Sequence, residues 1–333
     1  MTAEKNRFGF RHLVFCVSAV LLLVTACLLL SGRIHSPEGQ AEHQQSFAEH
    51  NRLLSPPIPD SLTFAGEVVP LDRSDVRDAL DRELLVNVYW QSNLLLMIKR
   101  ANRWFPVIEP ILKENGVPDD FKYLAVIESG LLNVVSPAKA AGFWQFIKAT
   151  GQNYGLEIND NIDERYDVSK ATRAACAYLK TAKAKCGSWT AAAASYNMGY
   201  GGYAKSAAAQ HTQEYWDLYL NDETARYVYR ILAAKLLFKH PEQYGVCLRL
   251  GDLYQPIVTD TFETDTTIAD LRQYALQRGV SYKTLKECNP WLRGTSLPNA
   301  SHKRYLILLP KTDAMSHRWQ MRQTVPEALF KGR

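Results

Sequence analysis

Apolar residues recur at helical spacing through the middle of the chain. Phe121, Leu124 and Ala125 stand at i, i+3 and i+4, which is the spacing of one helix face, and Gly130 suits the end of that helix. Similar segments follow as far as about residue 240, separated by Gly, Pro, Asn or Asp. The pattern therefore predicts an all-helical domain over this part of the chain.

Capping residues and breakers set the boundaries of individual helices. Asp167 and Ser188 are of the residue types that cap helix N-termini. The predicted helices of the main domain are residues 144–149, 168–185, 189–197 and 224–239. Residues 72–115 predict a helical lead-in, interrupted at Pro106 and Pro110 because proline disrupts a helix interior.

The pattern changes after residue 246. Residues 257–264 are rich in Thr and β-branched residues and 305–309 are apolar, which predicts two short strands. Residues 268–277 and 282–288 predict two short helices between them. This βααβ pattern predicts a separate small domain at about 255–311, followed by a tail, residues 312–333, that carries little signal.

The N-terminus predicts export and a membrane tether. Residues 1–12 are polar and basic, and residues 13–30 are eighteen positions without a charge, long enough to cross a hydrocarbon core. Positive charge before the segment predicts a cytoplasmic N-terminus. The segment is either an uncleaved signal anchor or a lipoprotein signal with Cys27 as the acylated residue. The apolar run continues past Cys27, which favours an inner-membrane anchor.

Residues 31–63 are polar and end in a Pro-rich stretch, which predicts a linker between the membrane segment and the helical domain with its lead-in at 64–245. The localisation that follows is the cell envelope, with the protein facing the periplasm.

Composition narrows the class of protein only slightly. The 333 residues are 47% apolar and 22% charged, with a net charge of +5, which is ordinary for a globular protein and too weakly basic to indicate nucleic acid binding. Four cysteines lie in the exported part, where they form two disulfides or remain free buried thiols. They are Cys176, Cys186, Cys247 and Cys288. No phosphate-binding loop or metal-ligand spacing is present, so no cofactor is predicted.

Glu128 is the strongest candidate for chemistry. It stands at i+7 on the stripe that begins at Phe121, in the last turn of a predicted helix. Burial and the negative end of the helix dipole both raise the pKa of a carboxyl group in that position. The alternative is that Glu128 points into solvent where the helix ends.

Glu128 belongs to the first of three short clusters of residues, and together these clusters resemble the motifs of a known family. They are Glu128-Ser129, Gly142-Phe143-Trp144-Gln145 and Ser195-Tyr196-Asn197, and Glu223-Thr224 to Tyr227-Val228 supplies a later tyrosine motif. In this order and spacing they resemble the family 23 lytic transglycosylases over roughly residues 64–240.

The resemblance implies a lysozyme-like helical fold and cleavage of the β-1,4 bond between N-acetylmuramic acid and N-acetylglucosamine in peptidoglycan. Members of this family leave a 1,6-anhydromuramic end. Their motifs supply a single carboxyl group, here Glu128, which acts first as acid and then as base. An acetamido group of the substrate replaces the second carboxylate that ordinary glycosidases need.

The resemblance also assigns roles to five further residues. It implies that Tyr196 orients the carboxyl or acetamido group, and that Gln145 and Asn197 hydrogen-bond the sugar. Ser136 and Tyr227 would contact substrate near the cleaved bond. Each of these side chains has an alternative structural role as a core tyrosine or a polar helix or loop residue. Ser129 is interpreted as structural.

The C-terminal module resembles a LysM domain, a glycan-binding βααβ unit. The resemblance rests on Thr267-Ile268-Ala269, Asn289-Pro290-Trp291-Leu292 and the final strand, although Thr264-Asp265-Thr266-Thr267 replaces the usual Gly-Asp-Thr start. A packing module without glycan affinity is the alternative.

Two other functions remain open for the whole chain. One is a goose-type muramidase, which would need a second acid. Asp163, Glu164 and Asp167 are the nearest candidates, but their positions before a helix favour capping roles. The other is a non-catalytic glycan-binding protein. The predicted partners are peptidoglycan strands and, through the N-terminal segment, the membrane.

Overall fold

The structure is a computed structural model and describes residues 21–22, 37–50 and 53–316. The chain divides into two units, residues 1–55 and 56–333. Within the first unit, helix α1 (Pro37–His50) occupies part of the predicted linker. Among the described residues no helix is long and apolar enough to cross a membrane. The predicted segment 13–30 lies outside the described residues, except for Leu21 and Leu22.

The second unit is mainly helical, as predicted. A short β-hairpin precedes the helices, and each of its strands has two residues: β1 (Thr63–Phe64) and β2 (Glu67–Val68). The helices of the main domain are α2 (Ser74–Tyr89), α3 (Gln91–Glu114), α4 (Lys122–Ser129), α5 (Lys148–Asn153), α6 (Val168–Cys186), α7 (Trp189–Met198), α8 (Tyr200–Ala209) and α9 (Asp222–Lys239). Helix α9 packs against α2, α4 and α7, and this contact network forms the centre of the core.

Local capping explains why several helices begin and end where predicted. The Asp167 side chain accepts a hydrogen bond from the Lys170 backbone, and Ser188 accepts one from Ala191. Gly130 ends α4 in the left-handed conformation at φ +60°. Helix α9 begins two residues before the predicted Thr224 because Asn221 provides its cap.

The predicted interruption at Pro106 and Pro110 is wrong. Helix α3 runs through both prolines to Glu114. Each proline removes one backbone hydrogen bond from the helix. The apolar face of α3 offsets this loss because Phe105, Ile108 and the other residues of that face are buried in the core.

The predicted helix at residues 144–149 is also wrong. Residues 142–145 form a tight turn closed by a bridge between Ala141 and Phe146, and α5 begins only at Lys148. Gly142 has φ +79°, and a Cβ atom there would lie 1.9 Å from the carbonyl oxygen of Arg165. A contact between distant parts of the chain, rather than local helix propensity, therefore determines the shape of this segment.

The C-terminal module has the predicted βααβ order. Strand β3 (Thr259–Thr264) pairs antiparallel with β4 (Tyr305–Pro310), and α10 (Leu271–Gln277) and α11 (Tyr282–Cys288) lie between them. Helix α10 begins three residues later than predicted because the Asp270 side chain caps it.

The module is docked on the helical domain and shares a hydrophobic cluster with it. Ala141, Ile162 and Tyr166 of the helical domain belong to the same buried cluster as Trp291, Leu292 and the other core residues of the module. The Asp163 backbone N–H donates to the Trp291 carbonyl over 2.9 Å, and Arg293 N donates to Asn161 O over 2.7 Å. The predicted βααβ fold of the module is confirmed, and the module packs against the helical domain.

All four cysteines in the described part of the chain are free thiols. Cys176 and Cys186 both lie in α6, which continues without interruption between them. Burial raises the pKa of the Cys176 thiol to about 11. The four residues are thus free thiols, but only Cys176 and Cys186 are buried as predicted, whereas Cys247 is exposed and Cys288 is half-buried.

Candidate active site

Glu128 lies in the last turn of α4, at the wall of a cleft of about 500 Å³. The cleft is formed by the junction of α2 with α3, by the end of α4 and the loop behind it, and by α9. The side chain is partly buried, so the predicted inward orientation is correct and the solvent-directed alternative is not. Glu128 thus presents a carboxyl group to an open cleft from an apolar helix.

Burial raises the pKa of Glu128 to about 7. The Tyr227 hydroxyl donates a hydrogen bond to Glu128 Oε1 and lowers this pKa, as does the positive charge of Arg230. The negative charge of Glu223 raises it further. Burial is the largest of these effects, so near neutral pH both the acid and the carboxylate form of Glu128 are populated.

Tyr227 is placed by α9 directly against Glu128. Its side chain is buried, and burial together with the Glu128 charge holds the pKa of the phenol well above its usual range. The hydroxyl therefore remains a hydrogen-bond donor. The sequence predicted that Tyr227 contacts substrate, and that role stays a prediction; its hydrogen bond to Glu128 was not foreseen.

Tyr196 holds the 142–145 turn next to the site. Its hydroxyl donates to the Trp144 carbonyl over 2.8 Å, and its ring packs edge-on against Tyr178 at 5.0 Å. Burial holds the pKa of the Tyr196 phenol well above its usual range, and the negative charge of Glu128 adds to this effect. Tyr196 is near the carboxyl group but forms its hydrogen bond with the turn.

Asn197 joins α7 to the first turn of α9. Its Nδ2 donates to Glu223 Oε1 over 3.0 Å, and its Oδ1 accepts from the Thr224 hydroxyl over 2.7 Å. The predicted hydrogen bond from Asn197 to a sugar stays a prediction. What the geometry adds is that Asn197 fixes the position of the Glu223 carboxylate.

Gln145 and Ser136 shape the loop that follows α4. Gln145 has φ +48°, and its Nε2 donates to the carbonyls of Gly142, over 2.7 Å, and Val134, over 3.1 Å. Ser136 Oγ accepts from the Ala140 backbone over 3.1 Å. Ser129 also has the structural role expected for it, because its hydroxyl donates to the Phe143 carbonyl over 2.9 Å.

The sequence analysis assigned no role to several charged residues of the cleft wall, although Glu223 stands at the start of the later tyrosine motif. Glu223, Arg226 and Arg230 line the cleft from α9, and Arg226 forms an ion pair over 2.7 Å with the buried Glu83. A signal existed for Glu83, because it stands three residues after Leu80 on the apolar stripe of α2. Only the packing of α9 against α2 identifies its partner.

The other acids considered for a hydrolase have structural roles, as expected. Asp163 forms an ion pair with Arg165 over 2.7 Å, and Glu164 forms one with Lys170 over 2.5 Å. Asp167 caps α6. Two other carboxylates line the cleft with Glu128: Glu83, which is ion-paired with Arg226, and Glu223.

Two family models match the second unit, one in the helical domain and one in the C-terminal module. Residues 105–219 match the family model described as the transglycosylase SLT domain. Residues 260–313 match the model described as the soluble lytic transglycosylase C-terminal LysM-like domain. The resemblance predicted from the motifs is thereby confirmed, for the helical domain and for the C-terminal module.

The chain is also similar to individual proteins. It is 32% identical over 221 residues to the membrane-bound lytic murein transglycosylase D of Escherichia coli strain K12. The protein of that name from Escherichia coli O6:H1 has the same identity over the same length. The alignment covers 65% of this chain and 48% of the relative, so the chain spans about half the length of the curated relatives it matches.

Proposed function

We propose that this protein is a peptidoglycan lytic transglycosylase that cleaves the N-acetylmuramic acid-β-1,4-N-acetylglucosamine bond and leaves a 1,6-anhydromuramic end. The observation that carries the proposal is Glu128, a carboxyl group with a pKa of about 7 at the wall of a cleft. The family models and the relatives supply the class of substrate.

Glu128 has both roles in the proposed reaction. Its protonated form gives a proton to the glycosidic oxygen as the bond to C1 breaks, and the acetamido oxygen of the muramic sugar stabilises the positive charge on C1. The resulting carboxylate then takes the proton of the 6-hydroxyl group as O6 bonds to C1. A pKa near the working pH suits a group that must act as acid and base in turn.

In this scheme Tyr227 stabilises the carboxylate form of Glu128, which exists between the two proton transfers. Its hydroxyl donates to Oε1, and this bond is strongest when Glu128 is the carboxylate. Ser136, Gln145, Tyr196 and Asn197 keep their proposed roles as substrate contacts. Ser136 and Gln145 also form hydrogen bonds within the loop after α4, whereas Tyr196 bonds to the 142–145 turn and Asn197 to the first turn of α9.

A hydrolase is the second candidate, and Glu223 is the observation that favours it. Its carboxylate lines the same cleft and is held by Asn197. Inverting glycosidases use a second carboxylate to activate water. In that reaction the product would carry a reducing end, heavier by one water than the anhydro product.

The test is to incubate residues 56–333 with purified peptidoglycan and weigh the released fragments by mass spectrometry. We expect anhydromuropeptides from the natural sequence and none from Glu128→Gln. Reducing-end products that disappear in Glu223→Gln would instead establish a hydrolase. Retention of peptidoglycan with no product from any form would favour the non-catalytic glycan-binding alternative.

We also propose that the protein acts in the cell envelope, tethered through residues 13–30. The relatives from Escherichia coli are named as membrane-bound proteins, and the apolar segment has a suitable length to cross a membrane. The test is membrane fractionation of the full chain, with Cys27→Ala as the control for lipidation. Unchanged membrane binding in Cys27→Ala is expected for the inner-membrane anchor, and its loss would establish a lipoprotein.

A further inference from the structure

The Glu128 cleft extends along α4 to the junction where α2 ends and α3 begins. Trp90 stands at this junction, lines the same cleft as Glu128 and is 59% exposed. Val86 and Leu132 also line the cleft and are exposed. An apolar patch in a cleft, with a tryptophan ring as its largest member, is typical of a binding surface rather than of an ordinary helix end.

Backbone hydrogen bonds fix the main chain at Trp90. The residue is outside the helical conformation, with φ −88° and ψ 57°, and it serves as the C-cap of α2 and the N-cap of α3. Its N–H donates to the Val86 carbonyl, and its carbonyl accepts from the Asn93 and Leu94 N–H groups, each over 3.1 Å. The indole is therefore presented by a fixed corner, and a ligand would not have to order a loop to use it.

Two amide side chains accompany the indole in the cleft wall. Asn87 Nδ2 donates to the Glu83 carbonyl over 2.8 Å, which orients its Oδ1 acceptor. Asn93 follows Trp90 by three residues and also lines the cleft. Amide oxygens accept hydrogen bonds from hydroxyl and acetamido N–H groups. An aromatic plane flanked by amides suits a ligand with one apolar face and many polar edges.

We propose that Trp90 is a stacking platform for an N-acetylated sugar ring of the glycan strand, in a subsite distinct from the cleavage point. The apolar C–H face of the ring would lie on the indole, and Asn87 and Asn93 would receive its edge groups. This inference rests on the proposed function for the identity of the polymer. It adds a residue that neither the sequence motifs nor the matched region at 105–219 includes.

The test measures affinity apart from catalysis. The full chain carrying Glu128→Gln is titrated by calorimetry with the hexamer of N-acetylglucosamine. Adding Trp90→Ala should weaken binding about tenfold, the usual effect of removing a central aromatic contact. Trp90→Phe should stay within about threefold because it keeps a ring. Tyr89→Ala is the matched control, since Tyr89 is the adjacent aromatic residue and does not line the cleft.

A second measurement separates this inference from the proposed function. With peptidoglycan as substrate, Trp90→Ala should raise KM about tenfold and leave kcat within about threefold. If the unsubstituted protein releases anhydro product while Kd and KM are both unchanged in Trp90→Ala, the Trp90 assignment is overturned and the proposed function stands.

If the unsubstituted protein releases no anhydro product, the proposed function is overturned. Weakened binding of the hexamer by Trp90→Ala would still support the sugar platform in that case. Loss of affinity for peptide-bearing fragments only would assign Trp90 to the stem peptide and overturn the sugar assignment.

Discussion

At the scale of single residues, the raised pKa of Glu128 makes the stability of the folded protein depend on pH. Its pKa is about 7 in the folded protein, above the value of 4.5 that the group has when exposed. The folded state therefore binds the proton more tightly than the unfolded state. The contribution of this proton to the free energy of unfolding is complete below pH 4.5 and is lost as the pH rises through about 7.

Replacing Glu128 with Gln should remove this pH dependence. Above pH 7 the natural protein carries a buried charge that costs on the order of 3 kcal/mol, so Glu128→Gln should then be the more stable form. The two proteins should converge near pH 4.5. Urea unfolding at several pH values measures the difference, with the exposed Glu214→Gln as control. A constant difference between Glu128→Gln and the natural protein from pH 4.5 to pH 8 would contradict this prediction.

Substitutions of Tyr227 and Glu223, two neighbours of Glu128, should shift the pH profile of kcat/KM in opposite directions. Activity that needs protonated Glu128 falls at alkaline pH as this group loses its proton. Tyr227→Phe removes a hydrogen bond that lowers the Glu128 pKa, so its alkaline limb should move to higher pH. Glu223→Gln removes a charge that raises the same pKa, so its limb should move to lower pH. The measurement is kcat/KM against pH, and a shift of both variants in one direction would exclude Glu128 as the titrating acid.

At the scale of elements, the turn at residues 142–145 depends on a close contact. Gly142→Ala should cost about 3 kcal/mol or more, because its Cβ would meet the Arg165 carbonyl at 1.9 Å and φ is +79°. Gly155 is a matched control, since φ is +85° and no atom lies within 4 Å of its Cβ position. Gly155→Ala should cost only about 1 kcal/mol for the left-handed backbone. Urea unfolding measures both, and equal costs would show that the turn tolerates the contact.

The elements that sequence analysis predicted correctly are those whose boundaries depend on nearby residues. Asp167 and Ser188 cap the helices that follow them, and Gly130 ends α4, within one or two turns of chain in each case. The 142–145 turn was missed because Arg165, more than twenty positions away, sets its shape.

The same distinction applies to the site. The inward orientation of Glu128 follows from its own helix face and was predicted. Its hydrogen bond with Tyr227, and the placement of Glu223 by Asn197, depend on how α9 packs against α4 and α7. No local pattern carries that information, so the motif on α9 was recognised from the sequence but its contacts with Glu128 and Asn197 were not.

At the scale of the whole molecule, the C-terminal module supports the loop that carries the site. Asp163 bonds to the module through its backbone and to Arg165 through its side chain. Arg165 Nη1 in turn donates to the Lys139 and Phe146 carbonyls, each over 3.0 Å, at the two sides of the 142–145 turn. A continuous set of hydrogen bonds thus connects Trp291 of the module with the turn beside Glu128.

This connection predicts that the module and the helical domain unfold together. Leu271 is fully buried in the module core and Leu276, on the same helix, is 75% exposed. Leu271→Ala should cost about 2–5 kcal/mol, whereas Leu276→Ala should change stability by less than about 0.5 kcal/mol.

Because Ala141, Ile162 and Tyr166 share the module's hydrophobic cluster, Leu271→Ala should also lower the temperature at which catalytic activity is lost. Calorimetry and residual activity after heating measure the two effects. If activity survived the melting of the module, the contacts at Asp163 would be too weak to support the site, and the module would be an independent attachment.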